Sequence, residues 1–119
     1  MEKCSFCIQR IQGGKLNAKR ERRPLQDGEV TTACQASCAS GAILFGDMNN
    51  PESKISKLLK IEHYVEVEKD GKTEKVFNYG IDKKIGNPRA YRVLEDIGVK
   101  PNIFYLTKIR NKDKAKENA

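Results

Sequence analysis

The sequence predicts an α+β protein, and three observations carry that expectation. The stretch "IEHYVEVEKDGKTEKVFNY" alternates apolar and polar residues on both sides of an Asp-Gly pair. Two segments open on Asn-Pro and continue with apolar residues at helical spacing. Ahead of them lie four cysteines in a region of short helices and loops. The 119 residues read as one domain, with no repeat and no internal boundary. Within it, 1–47 is the cysteine-bearing region, 48–110 holds helix, hairpin, helix and strand, and 111–119 is a frayed, charged tail.

Taken in order, "SFCIQRIQGG" predicts a short helix with Ile8 and Ile11 on one side, stopped by Gly13-Gly14. "KLNAKRERR" is helix-prone and strongly basic, and "PLQDGEV" is a turn built on Pro24 and Asp27-Gly28. Residues 42–45 read as a small apolar strand after the second cysteine pair. In "NNPESKISKLLK", Asn50 is the expected helix cap, Pro51 fills the first turn, and Ile55, Leu58 and Leu59 share one face. Asp70-Gly71 fits a two-residue type I′ turn, because both central residues need positive φ. Folding about it sets Val65 opposite Val76, Tyr64 opposite Phe77 and Glu66 opposite Lys75. "NPRAYRVLEDIG" predicts a second capped helix, with Asn87 as cap, Gly98 past its end and a stripe of Ala90, Val93, Leu94 and Ile97. "PNIFYLTKI" predicts a strand. The hairpin then reads as an insertion between the two helices.

Composition narrows the function. The chain is 33% charged and 38% hydrophobic and has no tryptophan, so its core is modest and a metal would help hold it. The net charge of +7 suits nucleic acid, an anionic membrane surface or an acidic protein, without choosing among them. No apolar run reaches the roughly 18 residues of a membrane span, and "MEKCSFCIQR" shows no signal-peptide core. From its residues alone the chain reads as cytosolic, where paired cysteines bind metal more often than each other. No phosphate loop, nucleophile triad or dinucleotide fingerprint is present, and Asp47 has no partner carboxylate, so no catalytic site is expected. His63, the only histidine, sits in an alternating strand and reads as a packing residue. The aromatics Tyr64, Phe77, Tyr79, Tyr91, Phe104 and Tyr105 read as core or interface.

The chemistry rests on Cys4, Cys7, Cys34 and Cys38, arranged as C-x2-C, a long intervening stretch, then C-x3-C. Disulfides, a zinc ion and an iron–sulfur cluster all use paired cysteines. A Zn(Cys)4 site uses two C-x2-C knuckles, and only the first pair has that spacing. With zinc, the basic run "KLNAKRERR" would become a nucleic-acid patch rather than a solvated helix face. The x3 spacing of "CQASC" matches the last two cysteines of a bacterial ferredoxin run, where the final cysteine serves a second cluster. Thiolates must converge in space rather than in sequence, so a long insertion within the motif is tolerated.

At these residues the chain resembles a known family. "MEKCSFCIQRIQ" and "GEVTTACQASCASGAILFGD" are similar to the last cysteine motif of the iron–sulfur subunits that accompany molybdopterin oxidoreductases, above all those of alternative complex III. "ASGAI" resembles the "PTGAI" that closes such motifs, and "PESKISKL" and "NPRAYRVLEDIGVKPNIFYLTKIRN" resemble the segments that follow. The likeness covers nearly the whole chain, least clearly the hairpin. It implies a ferredoxin-type region in which Cys4, Cys7 and Cys34 ligate one cubane 4Fe-4S cluster, while Cys38 serves a neighbouring one. The fourth ligand of the first cluster would come from a different motif. The family carries four motifs where this chain has one, so the resemblance implies a C-terminal fragment or split product. Ala39 stands where the family usually has proline.

The implied function is electron transfer within a membrane-associated, quinol-oxidising respiratory complex, at the periplasmic face of a bacterial inner membrane. The implied partners are the other subunits and the missing ferredoxin-type motif, not nucleic acid. Lys3, Arg10, Lys15, Lys19 and Arg20, close to the cysteines in sequence, would raise a cluster's potential by favouring its more negative reduced form. The rival expectations are a zinc-stabilised, basic nucleic-acid-binding module and a truncated remnant with no stable metal site.

Overall fold

A computed structural model describes residues 3–80 and 83–109. Where the sequence reads as a single domain, the chain divides into two compact units, Met1–Gly86 and Asn87–Ala119. The tail expected at 111–119 lies outside the described residues.

The first unit opens with α1, Ile8–Arg20. Gly13-Gly14 does not stop this helix; both glycines lie inside it. Two interior glycines cost a helix about 1 kcal/mol each, and tertiary packing accounts for the second. A Cβ on Gly14 would lie 2.3 Å from Val30 Cγ2, so only glycine lets the segment of Val30 come this close. Lys19 and Arg20 occupy the last turn, where cations complement the helix dipole. The chain then turns at Arg22, with φ 54°. Ala18 is buried, Ile11 is half-buried and Ile8 is exposed, so the two isoleucines do not form the shared face their spacing suggests.

Beyond the expected turn at Asp27-Gly28, where Gly28 has φ 82°, comes α2, Ala33–Ser37. The sequence reading contained no such helix. Thr32 caps it by accepting the Gln35 N–H at 3.3 Å. Residues 42–45 pair with no other strand among the described residues, and the Ala42 N–H goes to Cys38 Sγ instead. The expected strand is absent for want of a partner ladder.

Helix α3, Lys54–Leu59, begins three residues later than expected, because Ser53 rather than Asn50 caps it. Asn50 instead closes the preceding turn, accepting the Glu52 N–H at 3.0 Å. Ser53, Ser56 and Leu59 are buried, Ile55 is half-buried, and Leu58 is exposed. The Ser53 hydroxyl donates to the carbonyls of Asp47 and Asn50, which explains how a polar residue can be buried here. Asp27 Oδ2 accepts the Lys54 N–H at 3.0 Å and ties the early turn to the start of α3.

The hairpin of β1, Tyr64–Lys69, and β2, Lys72–Phe77, has the register read from the sequence. Asp70 and Gly71 have φ of 51° and 76°, as a type I′ turn requires. Its root is fastened by an Ile61–Ile85 bridge and by hydrogen bonds from Glu62 N–H to the Lys84 carbonyl and from Gly86 N–H to the Lys60 carbonyl, each 3.0 Å. Among the described residues of this unit, the buried ones are few and mixed: Ala18, Thr32, Ser53, Ser56, Leu59, Ile61, His63 and Lys83.

The second unit departs most from expectation. Asn87 caps a single turn, its Oδ1 accepting the Arg89 N–H at 3.0 Å. The chain then enters β3, Ala90–Tyr91, which pairs antiparallel with β4, Tyr105–Leu106. The expected helix is reduced to the 3-10 turn Glu95–Ile97, preceded by Leu94 at φ 61° and closed by Gly98 at φ 75°. A helical stripe becomes a helix when it has something to pack on. Here Val93, Leu94 and Ile97 are all exposed, while Ala90 and Tyr91 find partners in β4. The expected strand shrinks to two residues.

Candidate metal centre

Sequence places the two cysteine pairs far apart, and the fold brings their segments together. Phe6, between Cys4 and Cys7, meets Phe45 with ring centroids 6.3 Å apart. The Arg10 guanidinium donates to the Thr31 carbonyl at 3.3 Å. Gly14 abuts Val30. Cys7 Sγ itself accepts the Ala33 N–H at 3.3 Å, next in sequence to Cys34. Each contact joins the first pair's segment to the second's.

The local backbone serves the thiols. Phe6 and Cys7 both take left-handed conformations, with φ of 57° and 52°. Such a conformation costs a non-glycine residue roughly 1–2 kcal/mol, and it persists where surrounding contacts hold it. The Cys7 carbonyl then starts α1 by accepting from Arg10 and Ile11. In the second pair, Thr32 Oγ1 lies 3.1 Å from Cys34 Sγ. Cys38 Sγ has Ser40 Oγ at 3.3 Å and accepts the Ala42 N–H at 3.4 Å. The Ser40 hydroxyl and then the Ala42 N–H favour the thiolate, so the Cys38 thiol is held below the ordinary thiol range. The turn after Cys38 forms with Ala39 in place of proline, closed by the Gly41 N–H on the Cys38 carbonyl at 3.2 Å.

All four cysteines are free thiols, Cys4 and Cys34 exposed, Cys7 and Cys38 half-buried. Soft thiolates that receive N–H and O–H donors are the donor set an iron–sulfur cluster uses. Among the described residues, no three His, Cys, Asp or Glu side chains converge closely enough to hold an ion. The donor chemistry of these thiols fits such a cluster. Sequence reasoning missed the supporting residues Thr32, Ser40 and Ala42. A threonine one residue before "ACQAS" is a cap signal and was legible; the N–H of Ala42 carries no signature at all.

The remaining candidates behave as packing or turn residues. His63 is buried against Phe77, and Asp47 Oδ1 accepts the Asn49 N–H at 2.8 Å, making a turn.

No protein-family model matches the chain. It is 32% identical over 111 residues to the iron–sulfur cluster-binding subunit of a menaquinone reductase from Nitratidesulfovibrio vulgaris, a match covering 91% of this chain and 33% of that protein. The chain is thus similar in sequence to iron–sulfur subunits of oxidoreductase complexes. It is also 29% identical over 72 residues to the iron–sulfur subunit of an arsenate respiratory reductase from a Shewanella species, covering 60% of this chain and 24% of the relative. With an iron–sulfur subunit of a menaquinol oxidoreductase from Archaeoglobus fulgidus it shares 35% identity over 63 residues, covering 50% of this chain and 20% of the relative. The chain thus spans a third or less of the length of these relatives. Among the described residues, no helix is long and apolar enough to cross a membrane.

Proposed function

We propose that this chain contributes thiolate ligands to 4Fe-4S clusters and carries electrons as part of an oxidoreductase complex. Cys4, Cys7 and Cys34 serve one cluster whose fourth ligand lies in another motif, and Cys38 serves a neighbouring cluster. The observation that supports this reading is the Ala33 N–H on Cys7 Sγ, a contact between Cys7 and the residue that precedes Cys34. The named cluster-binding subunit that matches 91% of the chain supports it. The chain supplies no catalytic groups of its own; it passes single electrons between centres, and its N–H and O–H donors to sulfur stabilise the reduced, more negative cluster. Its partners are other subunits of a membrane-associated, quinol-oxidising respiratory complex of the alternative complex III kind, together with a further ferredoxin-type motif, at the periplasmic face of a bacterial inner membrane.

The test is iron, acid-labile sulfide and zinc per chain after anaerobic reconstitution, in the wild type and in Cys34→Ser. Iron and sulfide in matching amounts, both reduced in the variant, is the expected result. Stoichiometric zinc without sulfide overturns it and turns attention to nucleic acid, whose binding would weaken steeply with salt.

A further inference from the structure

Away from the cysteines, a polar cluster is buried at the root of the hairpin. His63 is 7% exposed, and neither ring nitrogen has a hydrogen-bond partner among the described residues. Its ring stacks on Phe77, with centroids 5.7 Å apart and planes at 19°. Lys83, 6% exposed, places its ammonium 5.8 Å from the centre of the same Phe77 ring. That ammonium donates to the Met48 carbonyl at 3.2 Å and to the Asn49 side-chain oxygen. Lys83 therefore joins the hairpin root to the loop that follows the cysteine region.

Nearby carboxylates are committed elsewhere. Glu62, adjacent to His63 in the chain, pairs with Lys84 at 3.4 Å, and Glu66 of β1 pairs with Lys75 of β2 at 3.9 Å. At the end of β2, the neighbours of His63 are Phe77 and Asn78, whose N–H donates to the His63 carbonyl at 2.8 Å; neither titrates. From the 83–86 segment the charged group that acts on His63 is Lys83 itself. Among the described residues, the imidazole thus shares a buried site with one cation and no anion.

We propose that His63 and Lys83 form an acid-sensitive latch between the hairpin root and the Met48–Asn49 loop. With the imidazole neutral, Lys83 keeps its two oxygen partners and its aromatic face. A proton on the imidazole sets two like charges in one buried site that has no counter-ion among the described residues, a costly arrangement. The strain is relieved when Lys83 leaves for solvent and releases the loop. Burial first, and Lys83 second, hold the imidazole below the ordinary histidine range. The unfolded chain therefore takes up the proton first as pH falls below about 6.5. The latch is complete above that pH and is lost progressively as pH falls towards and through the folded value.

His63 is the only histidine, so its ring protons give unambiguous NMR signals. The experiment titrates them from pH 8 to pH 4.5 and follows amide-exchange protection of Ser53 and Asn78. The expected midpoint lies below about 6.5, with protection falling up to tenfold per pH unit across the same interval. In Lys83→Met the midpoint moves up towards the ordinary value. In His63→Phe, protection becomes independent of pH over this range. A wild-type midpoint at or above the ordinary value overturns the latch, as does full protection of Ser53 throughout the titration. Should His63→Phe fail to fold, Lys83→Met decides: a midpoint that does not rise refutes the proposal.

Discussion

Alanine at Gly13 should stabilise the protein and alanine at Gly14 should not, although the two glycines are neighbours in one helix. Both gain roughly 1 kcal/mol from helix propensity. At Gly13 nothing lies within 4 Å of the new methyl group, so the gain is kept. At Gly14 the methyl would sit 2.3 Å from Val30 Cγ2, with Leu25 Cδ1 at an ordinary 3.5 Å. Forcing that overlap apart costs about 1–3 kcal/mol, which cancels or exceeds the propensity gain. In a unit of this size each kcal/mol moves the melting temperature by about 4–8 °C. Gly13→Ala should therefore melt about 4–8 °C higher than the wild type, and Gly14→Ala no higher than the wild type. Thermal unfolding followed by circular dichroism reads both. Iron uptake during reconstitution adds a second readout, because Val30 leads into the segment of Cys34; Gly14→Ala should take up less iron. Equal stabilisation by the two substitutions would refute the claim that Gly14 exists for close approach.

Three more outcomes are expected. Gly71→Val should cost about 1–2 kcal/mol, because Gly71 holds φ 76°, and faster amide exchange confined to β1 and β2 checks it. Glu29 is held down to about 2, first by the Arg23 guanidinium and then by the Gln26 N–H, so its contribution is present above the ordinary carboxylate value and lost as pH falls towards 2; Glu29→Gln should flatten that part of the acid-unfolding profile. If the clusters form, neutralising Arg10 with Arg10→Gln should lower a cluster midpoint potential measured by redox titration, and an unchanged or higher midpoint would sink the charge argument.

Local signals were legible and long-range ones were not. The hairpin register followed from an Asp-Gly pair and a two-residue alternation, both complete within one stretch of chain. The Asn87 segment misled because its 3.6-residue stripe is real but unsupported, while the pairing of Ala90-Tyr91 with Tyr105-Leu106 is invisible to periodicity. Asn50 and Ser53 are equally good caps, and burial of Ser53 beside Ser56 chose between them. Gly13-Gly14 looked like a stop because the reason for Gly14 lies sixteen residues away, at Val30. At the candidate centre, spacing named the four cysteines, but the sulfur–amide contact of Cys7 with Ala33 needed the fold.

The route between the two cysteine pairs has a rigid half and a pliable half. An α-helix turns by about 100° with every residue, so one residue added inside α1 before Gly14 would swing its bare side away from Val30. The turn near Gln26 carries no such phase, and doubling the length of a flexible loop costs only about 0.6 kcal/mol. Length can therefore drift after Arg22 while α1 stays in step, and natural variants of this segment should vary in their span around Leu25 and Gln26 far more than between Cys7 and Gly14.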